Sequence, residues 1–133
     1  MSIIKNIKES WNRVPRTFKH YLAFLKTEKK YLGYYKYKFH DLDKLFMYIF
    51  IPWIGVSRIK YIHEKRNKHH LTVAGYTKLY HINYEEAAID WECCRFTKPD
   101  EPMSAREFLE DQKDNLWSVH YYRMDEELKK LGL

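Results

Sequence analysis

Seven histidines stand among 133 residues, and six of them, His20, His40, His63, His69, His70 and His81, fall in the first two thirds of the chain. Several sit beside acids. Imidazole with carboxylate is the donor set that borderline divalent metals prefer, so metal binding is the first candidate chemistry. His40-Asp41 is the focal pair: on a helix its side chains diverge by about 100°, yet both can reach an ion held where several helices meet. His63, Asn67 and His70 are spaced by four and three, which puts them on one face if their helix runs that far. His69 then points elsewhere, unless the helix stops near Lys68 and the His69-His70 pair lies on a turn. Glu86 and Asp90, four apart, place two carboxylates on one face of a further helix, with the small Ala87 and Ala88 leaving room beside them. Asn67 is placed to orient a ligand imidazole. His81 and His120 fall outside the pattern and read as surface residues; Trp11, Trp53, Trp91 and Trp117 read as core or rim aromatics.

The order His20, His40-Asp41, His63, His69-His70, Asp90 resembles the HD superfamily of metal-dependent phosphohydrolases. The longer form, with a central histidine and an HH pair, is similar to its HD-GYP phosphodiesterase branch. "HDLDK" sets Lys44 three places after Asp41, as in the HDxGK motif of that branch; the GYP motif is absent. More closely, "FKHYLAFLK", "FHDLDKLF", "HEKRNKHH" and "EEAAIDW" resemble a family of HD-like proteins from bacteria and phages with HDLSKF-like, HxxxNxHH and ExxxDW segments. The resemblance covers roughly residues 17 to 96. It implies that His20, His40, Asp41 and Asp90 bind one metal and that Asp41, bridging, joins His63, His69 and His70 around a second. It also implies that Lys44 faces a substrate phosphate, and that the ions are Fe, Mn, Zn, Co or Ni. Arg16 stands where some HD branches carry an acid, and Asp43 where the nearer family has serine. The short His40 to His70 segment leaves a single-metal site of His20, His40, Asp41 and Asp90 as the alternative.

Metals at such a site lower the pKa of water toward about 7 and neutralise phosphoryl oxygens. Lys44, and the basic residues Lys65, Arg66 and Lys68, would add positive charge where a transition state is anionic. The expected function is therefore hydrolysis of a nucleotide or another small phosphate ester through metal-activated water, with Asp41 and Lys44 as the catalytic pair. Two alternatives remain open. Some HD-domain proteins with a similar ligand pattern use a di-iron centre to activate O₂ and cleave C–H or C–P bonds. A non-catalytic module, its metal structural, would instead bind nucleic acid or protein.

These side chains need helices to hold them. From Thr17 to Lys29, Phe18, Tyr21, Leu22 and Leu25 follow a one-face helical pattern that carries His20 and closes at Gly33. A second helix is expected from about Tyr37 to Ile51, stopped by Pro52, with His40 and Asp41 in its first turn. A third runs from about Val56 to Lys68 and a fourth from about Asn83 to Arg95. Pro99 and Pro102 mark a turn, Ser104 with Glu107 makes a capping box for a fifth helix, and Asp125 can start a last short one over 126–131. No segment alternates like a strand, so the expected fold is all-α, a compact bundle of about five to seven helices. One domain over residues 1–133 is expected, with its motif-bearing core at about 17–96 and a C-terminal helical extension at about 103–133.

Composition narrows the setting. The run from Leu45 to Val56 contains a proline and falls short of the roughly 20 residues a membrane span needs. No N-terminal signal pattern is present, and the adjacent Cys93 and Cys94 are poor disulfide partners, which together imply a cytoplasmic protein. Residues 1–38 carry ten Lys/Arg against two acids, whereas residues 85–133 carry seven against thirteen. The basic front half could attract a phosphorylated substrate or nucleic acid. Twelve tyrosines leave either a monomer or a homodimer open.

Overall fold

The computed structural model describes residues 2–73, 76–78, 81–97 and 102–133. Pro99 of the expected turn lies outside them. The fold is all-α, with 73% of the chain helical. Six α-helices occur among the described residues: α1 (Ile3–Leu32), α2 (Leu42–Phe50), α3 (Val56–Arg66), α4 (Tyr84–Thr97), α5 (Ala105–Asp111) and α6 (Ser118–Lys130). A 3₁₀ turn at Pro52–Ile54 joins α2 to α3, and β1 (Thr72–Val73) pairs antiparallel with β2 (Tyr76–Thr77). Among the described residues that small hairpin is the one departure from an all-helical reading.

Helix α1 begins fourteen residues before the expected Thr17, at Ile3. Its first half buries a serine instead of an apolar stripe: Ser10 Oγ donates to the Pro52 carbonyl at 2.9 Å, and Asn6 Nδ2 donates to the Trp53 carbonyl at 3.0 Å. Hydrophobic periodicity is silent about a helix held by such contacts. Pro15 is accommodated inside it, and the helix ends where expected, with Gly33 in the left-handed conformation at φ 82°.

Helix α2 starts later than expected. Tyr37, His40 and Asp41 lie in turns before it, because the buried Glu28 carboxylate of α1 accepts the Tyr37 amide and Asp41 adopts φ 58°, ψ 7°. Aspartate tolerates this left-handed region better than most residues, and the helix starts immediately after it. Helix α3 ends at Arg66, with Asn67 extended, so His69 and His70 lie beyond it. Helix α6 starts at Ser118, well before Asp125, and buries His120, Met124 and Leu128.

Helix α4 is central. Its face of Ala87 and Ala88 packs with Leu71, Ala105, Leu109, Met124 and Leu128. The alanines thus admit close approach of α5 and α6, and do not open space around the carboxylates. Its Ile89 and Cys93 pack with Phe24 of α1. Ser104 caps α5 by accepting the Glu107 amide at 3.1 Å, as the capping-box spacing predicts. No helix among the described residues is long and apolar enough to cross a membrane.

Candidate metal centre

Four parts of the fold deliver the expected donors to one place. Helix α1 brings His20, the turn before α2 brings His40 and Asp41, α3 and the segment after it bring His63, His69 and His70, and α4 brings Glu86 and Asp90. His40, Asp41, His63, His69 and Asp90 are all buried.

Asp41 sits at the centre, and its two carboxylate oxygens face different partners. Oδ2 lies 3.5 Å from His20 Nε2 and 3.4 Å from His40 Nε2. Asp90 Oδ1 completes this group at 2.8 Å from His20 Nε2 and 3.1 Å from His40 Nε2. Oδ1 of Asp41 lies 2.9 Å from His63 Nε2 and 3.2 Å from His69 Nε2. His70 joins the second group, and within each group the four donor atoms all lie within 4.8 Å of one another.

The two groups differ in how their donors are satisfied. Asp90 makes hydrogen bonds with His20 and His40. In the second group Asp41 Oδ1 and the Nε2 atoms of His63, His69 and His70 are buried without any hydrogen bond, despite the short separations. Their directions are not those of an N–H···O bond. Buried polar atoms are rarely left so, and several orphaned together need a cause. Two donors each about 2.1 Å from a common ion lie about 3 to 3.4 Å apart for octahedral to tetrahedral angles, close to the 2.9 and 3.2 Å that separate Asp41 Oδ1 from His63 Nε2 and His69 Nε2. The residues therefore fit a divalent metal by donor type, convergence and unsatisfied valence.

Outer carboxylates set the imidazoles. Glu86 Oε2 is hydrogen-bonded to His40 Nδ1 at 2.8 Å and lies 2.7 Å from His69 Nδ1 without the alignment of a hydrogen bond, so the charge of a single oxygen faces one ring from each group. Asp43 accepts from His63 Nδ1 at 2.9 Å and from Asn67 Nδ2 at 2.8 Å, and Asn67 also donates to the His63 carbonyl at 2.8 Å. With the Nδ1 protons of His40 and His63 assigned toward these carboxylates, the Nε2 of each keeps a lone pair for an ion at the centre, the usual outer-sphere arrangement of metal-bound histidine. Phe24 stacks on His40 at 3.7 Å and fixes its plane.

Without a metal, protons take the place of cations. Burial alone would lower His40, but Asp41 and Asp90 beside it raise it to about 10. His20, His63 and His69 are likewise raised against their burial by the neighbouring acids. Asp41 and Asp90 are held well below the carboxylate range, with burial opposing and His40 the largest favourable charge. His70 goes the other way: burial, with His69 next to it, lowers its imidazole to about 3.

A cavity of about 290 Å³ opens beside the centre, and its lining includes His20, Asp41, His70 and Asp90 together with Lys44. Lys44 Nζ lies 3.5 Å from Asp41 Oδ2. Lys65, Arg66 and Lys68 do not line it. All three are exposed, and Lys68 borders a separate cleft with His81. The basic side chains that do line it are Arg13, Arg16 and Lys60, which sequence reasoning missed. A signal existed, since Arg13, Arg16 and Thr17 precede His20 by seven, four and three, on one helical face. Lys60 likewise precedes His63 by three. Cys94 also lines the cavity, while Cys93 is buried and its Sγ donates to the Asp90 carbonyl at 3.1 Å. His120, expected at the surface, is buried between the Tyr84 hydroxyl at 2.7 Å and the Lys78 carbonyl at 2.6 Å. Trp11, Trp53 and Trp117 are about half exposed, and Trp91 packs edge-on against Phe108 at 4.7 Å.

Comparison with protein-family models, with curated proteins and with solved structures gives no match to the chain.

Proposed function

We propose that the chain is a metal-dependent phosphohydrolase acting on a nucleotide or another small phosphate ester, with two divalent ions held on either side of Asp41. The observation that carries this reading is the orphaned set of Asp41 Oδ1 and the Nε2 atoms of His63, His69 and His70. Four buried polar atoms converging without a hydrogen bond among them fit a cation. The order of the ligands along the chain, with its resemblance to HD phosphohydrolases, supports the same conclusion. So does the cationic lining of the adjoining cavity, which suits an anionic substrate.

Divalent ions held there would supply Lewis acidity, activating water near neutral pH and offsetting charge on the phosphoryl oxygens. The protein's own residues do the rest. Glu86 holds the His40 imidazole and Asp43 that of His63 in one tautomer, and Phe24 and the surrounding core keep His40 from rotating. Lys44, on the cavity wall beside Asp41, binds a phosphoryl oxygen and stabilises the charge that builds on it in the transition state.

Elemental analysis of the purified chain beside an Asp41→Ala variant, with a panel of phosphate esters run on both, tests this. Stoichiometric metal and hydrolysis in the native chain, both lost in the variant, are expected. A native chain that holds no stoichiometric metal under any expression condition refutes it. Bound iron with O₂ consumption and no hydrolysis would replace it by the di-iron oxygenase reading, which draws on the same ligands.

A further inference from the structure

Arg13, Arg16 and Lys60 line the cavity next to the metal centre but make no hydrogen bond or ion pair with any described residue. Lys44 alone among the lining cations is paired, with Asp41. Burial lowers Lys60, and the charges of Arg13, Lys44 and Arg16 lower it further, with Glu64 one turn along α3 opposing them, so the like charges repel one another across the cavity. Tyr48 and Thr17 add hydroxyl groups to the same wall. Four basic side chains face two carboxylates, Asp41 and Asp90, in the lining. Each divalent ion at the centre would add to that positive excess. One phosphate monoester needs no more than the ions and Lys44.

The cations are also spread in a direction. At about 1.5 Å of rise per residue, Arg16 lies about 6 Å and Arg13 about 10 Å along α1 from the ligand His20. Successive phosphoryl groups of a linked chain would step away from the centre past Lys44 toward these residues. The cavity, at about 290 Å³, is near the lower edge of the roughly 300 to 1,000 Å³ of ligand pockets, so it suits such a charged head and leaves any larger attached group outside.

We propose that Arg13, Arg16 and Lys60 form a second anion subsite, which holds a non-scissile phosphoryl group, so that the substrate carries at least two linked phosphoryl groups. This rests on the phosphohydrolase reading. Water attacks the phosphorus seated at the metal centre, the P–O bond to the bridging oxygen breaks, and inorganic phosphate departs. The bridging oxygen leaves on the shortened product, and the subsite holds that product's remaining phosphoryl group.

Calorimetric titration with inorganic phosphate, pyrophosphate and tripolyphosphate tests this on the native chain and on Arg13→Gln, Lys60→Gln and Lys8→Gln, each assayed for metal in the same samples. The native chain should bind pyrophosphate at least tenfold more tightly than phosphate. Arg13→Gln and Lys60→Gln should lose most of that preference, with phosphate affinity and metal content unchanged. Lys8→Gln, on the exposed side of α1, should keep it. Equal affinity of the metal-loaded native chain for phosphate and pyrophosphate overturns the subsite even if the variants do not fold. So does a parallel loss of both ligands in the variants. Absence of metal overturns the hydrolase reading instead, and the ratio of pyrophosphate to phosphate affinity on that same metal-free sample still decides whether the cationic wall is an anion site.

Discussion

Replacing Glu86 by glutamine keeps the side-chain volume and an oxygen acceptor but removes the charge that His40 and His69 share at 2.8 and 2.7 Å. A hydrogen bond to a charged group contributes about 1.5 to 3 kcal/mol and a neutral one about 0.5 to 1.5, so the His40 bond should weaken by about 1 kcal/mol, and loss of the negative charge 2.7 Å from His69 should cost about as much. Two contacts give about 2 kcal/mol, or about 30-fold in combined metal affinity at about 1.4 kcal/mol per tenfold. Because the two rings belong to different donor groups, the loss should be divided between two ions. Asp43→Asn is the comparison: His63 is the one imidazole it touches, and its side chain is 40% exposed, so solvent screening should hold its effect to about fivefold at one ion. Competition of Zn²⁺ or Mn²⁺ against a chelator, with far-UV circular dichroism to confirm folding, measures both. A folded Glu86→Gln variant that keeps both ions within twofold of the native affinity would refute the assignment of Glu86 as the shared outer carboxylate.

The metal-free chain should have an inverted dependence of stability on pH. His20, His40, His63 and His69 are raised above their ordinary 6.5, so their contribution is complete below that value and is lost as pH rises through the folded values, about 10 for His40. Asp41, Asp90 and Glu86 are depressed from 3.8, 3.8 and 4.5, so theirs is complete above that range and is lost on acidification. His70 opposes between 6.5 and about 3, where only the unfolded chain takes up its proton. With chelator present, Tm should be highest between about pH 5 and 6.5 and fall toward pH 10; with metal, which needs neutral imidazoles, the gap between loaded and free protein should widen as pH rises. A metal-free Tm that climbs from pH 6.5 to 10 would contradict the cluster's electrostatics. Gly55→Ala should cost about 1 to 3 kcal/mol in urea unfolding, because Gly55 sits at φ 95°, ψ 152°, a region nearly confined to glycine, and a Cβ would meet the Asn6 side chain at 3.4 Å. A loss below about 0.5 kcal/mol would show that the turn relaxes freely.

Donor identities were legible in the sequence because ligand chemistry is a property of residue type. Their spacing on α1 and α4 was legible too, since Phe24 on one and Ile89 and Cys93 on the other lie on faces that pack together. The first half of α1 was not, because its buried contact is a serine reaching a proline carbonyl, which no apolar period records. The start of α6 was hidden for a related reason: His120 holds a core position by bonding Tyr84 and Lys78, and a polar residue in the stripe breaks the pattern that would have shown it. The cationic wall was hidden differently. Arg13, Arg16 and Thr17 share a face with His20, but nothing local distinguishes them from the other basic residues of the front half until the turn before α2 and helix α3 close over that face.

The placement of Asp41 shows why the centre could be listed from the sequence but not assembled from it. In the first turn of a regular helix, His40 and Asp41 would diverge by about 100° and Asp41 would offer its carboxylate to one side. The left-handed turn instead sets Asp41 between two groups of imidazoles, at a backbone cost of about 1 to 2 kcal/mol that the surroundings must oppose. Tyr37 supplies the opposition from two directions. Its amide is held by the buried Glu28 of α1, and its hydroxyl donates to Glu85 at 2.6 Å on α4. The turn is thereby fastened between the two helices that carry His20 and Asp90. The Asp41 conformation is then a tertiary consequence of Glu28, Tyr37 and Glu85, residues that carry no metal chemistry themselves. Such strain persists only where the rest of the structure over-determines it, and it gathers at functional sites.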